Sequence, residues 1–243
     1  MRLILFLALL LFALPAPARE NLPAGFVYLR DVAPTIAQDI RYATSNNFTG
    51  APLPGYGAPE CVLRREAADA LARVAQDLAR DKLALKTYDC YRPERAVRGM
   101  WRWAHDGGRD GEKNFYPNVD KRELFTLGYI ASHSKHSTGT AVDITLVPLP
   151  APAVEPRPSH APCTAPAAQR APDTSLDMGT GFDCLDVKSY TRSAAVAPEQ
   201  RRARERLRAA MSAHGFRNYF REWWHYEFVG GPQRAYDFPI EAR

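Results

Sequence analysis

Several features that would place the chain in a familiar class are missing. The four cysteines, Cys61, Cys90, Cys163 and Cys184, nowhere form a C-x-x-C pair, which argues against a cysteine-held zinc site. No internal repeat appears in the 243 residues. The one long apolar run, Leu3 to Leu14, is short of the ~20 residues that a spanning helix needs. No cysteine follows that run, so a lipid anchor has no attachment point. A strong charge bias is absent too: 32 Lys and Arg against 27 Asp and Glu leave a net charge of +5. The arginines are scattered, and the densest group, Arg201 to Arg208, falls on one predicted helix and reads as a solvated face. Nucleic acid is therefore not an expected partner.

At 46% hydrophobic residues, the chain can bury a core of one-domain size. Its start is read separately. Met1-Arg2, the apolar run and Ala16-Pro17-Ala18 have the layout of a secretory signal, residues 1–18, with cleavage predicted after Ala18. Residues 19–243 then form the mature protein, expected to be periplasmic or secreted, with no stable membrane span. Export makes disulfides possible. Three connectivities exist, and Cys61–Cys90 with Cys163–Cys184 is favoured because each pair staples one local region.

Residues 64–81 place Leu71, Val74, Ala75 and Leu78 on one helical stripe. Leu83 to Tyr88 reads as a strand running into Asp89-Cys90-Tyr91-Arg92-Pro93. Pro93 suits the first turn of a helix that carries Val97, Met100, Trp101 and Ala104 inward. Gly139 to Val147 reads as a strand, with Asp143 among apolar residues. A buried aspartate is costly unless something pairs it, which is the first hint of a metal. Residues 148–172 hold eight of the 20 prolines and read as an extended surface excursion. A helix follows at about 198–213, then a strand from Trp224 to Val229. The order of elements predicts an α+β fold with a small, mainly antiparallel central sheet flanked by helices.

The chemistry concentrates in two places. Ser134 to Asp143 puts His136 in a loop and Asp143 on a strand, with Gly139 allowing the bend between them. Glu222-Trp223-Trp224-His225 adds a second histidine and a carboxylate. Two imidazoles and one carboxylate suit catalytic zinc, leaving a fourth position open. A further carboxylate, Glu222, is needed to move a proton. On a regular strand Glu222 and His225 would face opposite ways, so the reading requires a bend near Trp223. Each residue alone is weak evidence; H-x6-D followed by E-x-x-H is far more specific.

These motifs resemble the zinc D,D-peptidases that share a fold with the Hedgehog signalling domain. The closer similarity is to the D-alanyl-D-alanine dipeptidases, the group that includes the vancomycin-resistance dipeptidase. It rests on S-x-H-x-x-G-x-A-x-D and E-x-W-H, and extends to Arg41-Tyr42-Ala43-Thr44, Asn47-Phe48-Thr49-Gly50, Asp89 to Pro93 and Met178 to Asp183. The blocks cover most of residues 40–230 outside the proline-rich stretch. The resemblance implies one Zn2+ per chain on His136, Asp143 and His225, with Glu222 as general base and acid. It implies Arg92 as the group that stabilises the oxyanion. It also implies Tyr42 and Asp183 on the ammonium of D-Ala-D-Ala, with Ser134 and the chain near Tyr129 on its carboxylate. His133 has no role in the motif.

The chain departs from that family in its export signal and its proline-rich excursion. A D,D-carboxypeptidase or endopeptidase acting on peptidoglycan stem peptides is the alternative enzyme. A non-catalytic peptide-binding module on the same fold is the alternative outside catalysis.

Overall fold

The computed structural model describes residues 22–108, 111–152 and 159–243. The predicted signal peptide lies outside the described residues, and no described helix is long and apolar enough to cross a membrane. In chain order the regular elements are β1 (Phe26–Tyr28), α1 (Leu29–Val32), β2 (Ala37–Gln38), β3 (Val62–Arg64), α2 (Arg65–Ala79), β4 (Leu83–Asp89), α3 (Glu94–His105), β5 (Ala141–Pro148), α4 (Pro198–Ala213), β6 (Phe216–Asn218) and β7 (His225–Phe228).

Five strands form the central sheet in the order β2-β4-β5-β7-β6. Only β2 and β4 run parallel; the other pairs are antiparallel. β1 and β3 make a separate antiparallel ribbon. The sheet is the expected α+β arrangement, and β5 is its middle. Both faces of β5 are covered, so Ala141 to Val147 are all buried. A strand buried on both faces reads as a nearly continuous apolar run, and Asp143 is the exception.

The helices follow the amphipathic rule. α2 buries Leu71, Val74 and Leu78 and packs on β4 and α4. α3 buries Ala96, Val97, Met100 and Ala104. Trp101, expected inward, is instead 43% exposed and stacks on His105 with centroids 4.4 Å apart. The buried stripe of α3 is narrower than the apolar stripe of its sequence, and Trp101 falls on its edge. α4 corrects a second expectation. Arg204, in the middle of the arginine group, is fully buried. Its guanidinium donates to the carbonyls of Met178, Lys188 and Tyr190, so it ties loops to the helix instead of facing water.

The disulfides are Cys61–Cys90 and Cys163–Cys184. The second pins the proline-rich stretch; its residues 153–158 lie outside the described residues, and among 159–172 only Cys163 is buried. Cys163 also receives backbone bonds on both sides, donating to Asn114 and accepting from Gly181. Just beyond, Asp173 reaches into a cationic corner of β4. It accepts from Lys86, from Arg41 at 3.2 Å and from the Tyr88 hydroxyl at 2.9 Å. The C-terminal segment closes the other side, with Phe238 stacked on Tyr91 at 4.1 Å and Tyr236 edge-on to Phe26.

Asp173 gives a stability test. Burial alone would raise its carboxyl, but Lys86 and Arg41 hold it down at about 2. A carboxyl depressed below its unfolded value of ~3.9 stabilises the fold above that value and ceases to do so as pH falls towards 2. Asp173→Ala should cost about 1–3 kcal/mol at pH 7, because it leaves buried Lys86 with only Asp39 at 3.9 Å, while Arg41 keeps Asp39 at 2.9 Å. In urea unfolding, the gap between wild type and variant should shrink steadily below pH 4. A gap that is independent of pH would contradict this role.

Candidate metal centre and active site

Three side chains from separate elements converge at one end of the sheet. His136 sits on a single 3-10 turn, Lys135–Thr138. Ser134 caps that turn, its hydroxyl oxygen accepting the His136 N–H at 3.2 Å. Gly139 ends it at φ 75°, and a Cβ there would fall 2.3 Å from the Phe26 ring. Only glycine meets both conditions at this corner. Asp143 lies on β5 and His225 opens β7, where the two are direct register partners.

The ligand atoms form a near-equilateral triangle. His136 Nε2 lies 3.1 Å from His225 Nδ1 and 3.2 Å from Asp143 Oδ1, and the third edge is 3.0 Å. A tetrahedral zinc with bonds of ~2.0–2.1 Å separates its ligands by roughly 3.3–3.4 Å, so the triangle accepts the ion with a small expansion. The set is also the only His, Cys, Asp and Glu group found among the described residues that could hold a metal. His136 is oriented for the task. Its Nδ1 lies 2.7 Å from the Cys90 carbonyl. An acceptor at that distance requires a protonated Nδ1, which turns the Nε2 lone pair inward. The Cys61–Cys90 disulfide anchors the chain that carries this carbonyl. On His225 the outer nitrogen, Nε2, faces Glu227 at 3.8 Å.

The electrostatics favour a cation. Burial opposes protonation of His225, yet Asp143, Glu227 and Glu222 pull its pKa up to about 10. Burial pushes Glu222 up to about 7 and Asp183 up to about 8, with Asp143 adding to both. The pocket therefore collects more negative charge than it can hold ionised, and its histidine retains a proton against desolvation. A divalent ion relieves both.

The remaining predicted residues line the same cavity of about 190 Å³. Glu222 precedes a turn closed by a bond from the His225 N–H to the Glu222 carbonyl, 3.3 Å. This is the bend the sequence required, and it brings the Glu222 carboxylate to 3.8 Å from His225 Nδ1. Trp223 and Trp224 are buried beneath, and the Trp223 indole donates to Thr180 at 2.9 Å. Arg92 leaves the end of β4 and stacks over the Tyr42 ring at 4.8 Å. The Tyr42 hydroxyl donates to Asp183 at 2.7 Å. Ser134 and Tyr129 line the same cavity. His133 borders the cavity and bonds to Ser132, apart from the ligand triangle.

Sequence reasoning did not single out Asp89. It is completely buried, accepts from Tyr56 at 2.6 Å and Arg92 at 2.9 Å, and lies 3.5 Å from His136 Nδ1. Burial raises its carboxyl, against the pull of Arg92 and His136. Its signal was present: an aspartate ending an apolar strand, three residues before an arginine. Glu227, Phe48 and Met100 also line the cavity; Met100 was expected inward and Phe48 lies in a family block, but neither these two nor Glu227 were assigned to the site.

Three ligands with a vacant side, a fourth carboxylate beside them and a fixed guanidinium facing the same small cavity define a metallopeptidase site. A family model described as D-Ala-D-Ala dipeptidase, of peptidase family M15, matches residues 23–155 and 147–241, and the chain belongs to this family. A D-alanyl-D-alanine dipeptidase of Streptomyces coelicolor is 36% identical over 88% of this chain and 98% of its own. One from Enterococcus faecium is 33% identical over 89% and 98%. One from Escherichia coli is 31% identical over 89% of both chains.

Asp89→Ala would leave Arg92 buried without its main partner, at an expected cost of about 3–5 kcal/mol. Asp89→Asn keeps an acceptor for Tyr56 or Arg92 but loses the charge. It should fold and turn over substrate ~10–100-fold more slowly. Wild-type turnover by the asparagine variant would show that Asp89 only supports the fold.

Proposed function

We propose that the protein hydrolyses D-Ala-D-Ala to two D-alanines, using one zinc ion held by His136, Asp143 and His225. When bound, the ion supplies Lewis acidity, polarising the scissile carbonyl and making water nucleophilic near neutral pH. Glu222 takes the proton from the attacking water and delivers it to the leaving amine. Its position beside the ligand triangle and a pKa pushed up to about 7 by burial suit a group that must accept and then release a proton. Arg92 meets the negative charge that develops on the carbonyl oxygen. Its bonds to Asp89 fix its direction beforehand, and such preorganisation is worth several kcal/mol.

The observation that carries the dipeptide reading is the Tyr42–Asp183 pair, 2.7 Å apart on one wall of the cavity. A substrate ammonium gives Asp183 the cation it lacks and lets it ionise despite burial. Ser134, with the chain near Tyr129, receives the carboxylate at the other end. A cavity of about 190 Å³ is below the ~300–1,000 Å³ of drug-sized sites. It suits a molecule with two short side chains better than a peptidoglycan stem.

We read the protein as exported, with residues 1–18 removed. The two disulfides support an oxidising compartment. The amino terminus of the exported protein should then begin at Arg19.

Glu222→Ala should retain zinc and lose ~10²-fold or more in kcat. D-Ala-D-Ala should be cleaved, and its N-acetylated form, which has no ammonium for Asp183, should not. Turnover confined to the acetylated compound would transfer the reading to a D,D-carboxypeptidase. Undiminished turnover by the Glu222 variant would remove that residue from the mechanism.

A further inference from the structure

Beside the catalytic mouth, on the far side of the Tyr219–Phe220 turn, lies a separate groove of about 730 Å³. Its apolar wall includes Phe216, Phe220 and Val187, and its polar rim carries Arg192, Arg208 and Arg217. No aspartate or glutamate lines it. Arg208 is paired with Glu205 and Arg217 with Glu227; Arg192 makes no ion pair within 4 Å among the described residues, though it lies in the field of Glu205.

Val187 and Phe220 on the rim, and Leu127 beyond it, are exposed hydrophobics. Val187 is 62% exposed, Phe220 61% and Leu127 44%. Leu127 and Phe220 sit on turns and Val187 opens a short 3-10 helix. Arg221 joins two of them, donating to the Leu127 carbonyl and lying over the Phe220 ring at 5.5 Å. Exposed apolar side chains interleaved with guanidinium groups, with no carboxylate among the residues that line the groove, are complementary to an anionic lipid surface. Apolar tips enter the headgroup boundary while cations meet the phosphates.

We propose that this face docks on anionic phospholipid bilayers, with Phe220, Val187 and Leu127 inserted and Arg192, Arg217 and Arg221 against the headgroups. Docking would set the catalytic mouth beside the membrane, because Tyr219 and Tyr129 line the catalytic cavity next to the inserted tips. The proposal does not depend on which dipeptide the enzyme cleaves.

The test is local, so that any contribution of the apolar run at residues 3–14 does not count. All four cysteines are in disulfides, so Val187→Cys offers a unique thiol for an environment-sensitive dye on the full chain. Vesicles containing phosphatidylglycerol should shift the dye to the blue, and high salt should reverse the shift. Arg192→Glu should weaken vesicle binding by about tenfold, and Phe220→Ser should weaken it independently. An unchanged circular dichroism spectrum and thermal midpoint will show that each variant is folded. No shift, or an equal shift with neutral phosphatidylcholine vesicles, would overturn the proposal. So would a shift that appears without vesicles and grows with protein concentration, since a second copy would then be covering the face.

Discussion

Everything at the active end of this molecule depends on a row of charge buried across three adjacent strands. Asp89 on β4 pairs with Asp143 on β5, and Asp143 pairs with His225 on β7. Two buried carboxylates directly opposite one another are unfavourable: at ~5 Å and an effective dielectric near 20 they repel by about 3 kcal/mol. The fold tolerates them because Arg92 reaches both, at 2.8 Å from Asp89 and 3.6 Å from Asp143. The histidines face the same row, and a divalent ion held by them would complete its neutralisation.

The surrounding structure follows from holding that row in place. A strand register fixes Asp143 and His225 to within the width of a ladder. The loop ligand, His136, lacks that support and takes it from elsewhere: the Ser134 cap, the glycine corner packed on Phe26, and the Cys90 carbonyl behind the Cys61–Cys90 disulfide. The C-terminal segment adds a further strap, with the Tyr236 N–H donating to the Ser137 carbonyl. A site built from one loop and two strands thus gains rigidity from a disulfide and a tail that carry no chemistry themselves. The proline-rich segment is tied down separately, by Cys184 and by Asp173, away from the ligand triangle.

The parts of this arrangement that were legible in the sequence are those with a local signature. Asp143 stands out inside an apolar strand, His225 alternates with buried aromatics, and α2 shows a helical stripe. The need for a bend at Trp223 followed from the odd spacing of Glu222 and His225. The assembly of Tyr42, Asp183, Ser134 and Arg92 around one cavity came only through family resemblance, because their contacts span up to 141 residues of sequence. β1, β2, β3 and β6 have two or three residues each, too few for alternation to register. Arg204 and Trp101 went the wrong way for a shared reason. Side-chain type predicts burial on average, but a guanidinium with three carbonyl partners can be buried, and an indole on a helix edge need not be.

The central claim is that the ligand triangle holds a catalytic zinc ion. Anomalous diffraction from crystals of the purified protein, recorded on both sides of the zinc absorption edge, tests it directly. The account predicts one peak, ~2.0–2.1 Å from His136 Nε2, Asp143 Oδ1 and His225 Nδ1, with Glu222 close by but not ligated. A peak elsewhere, or one that recruits Glu222 in place of Asp143, would contradict it.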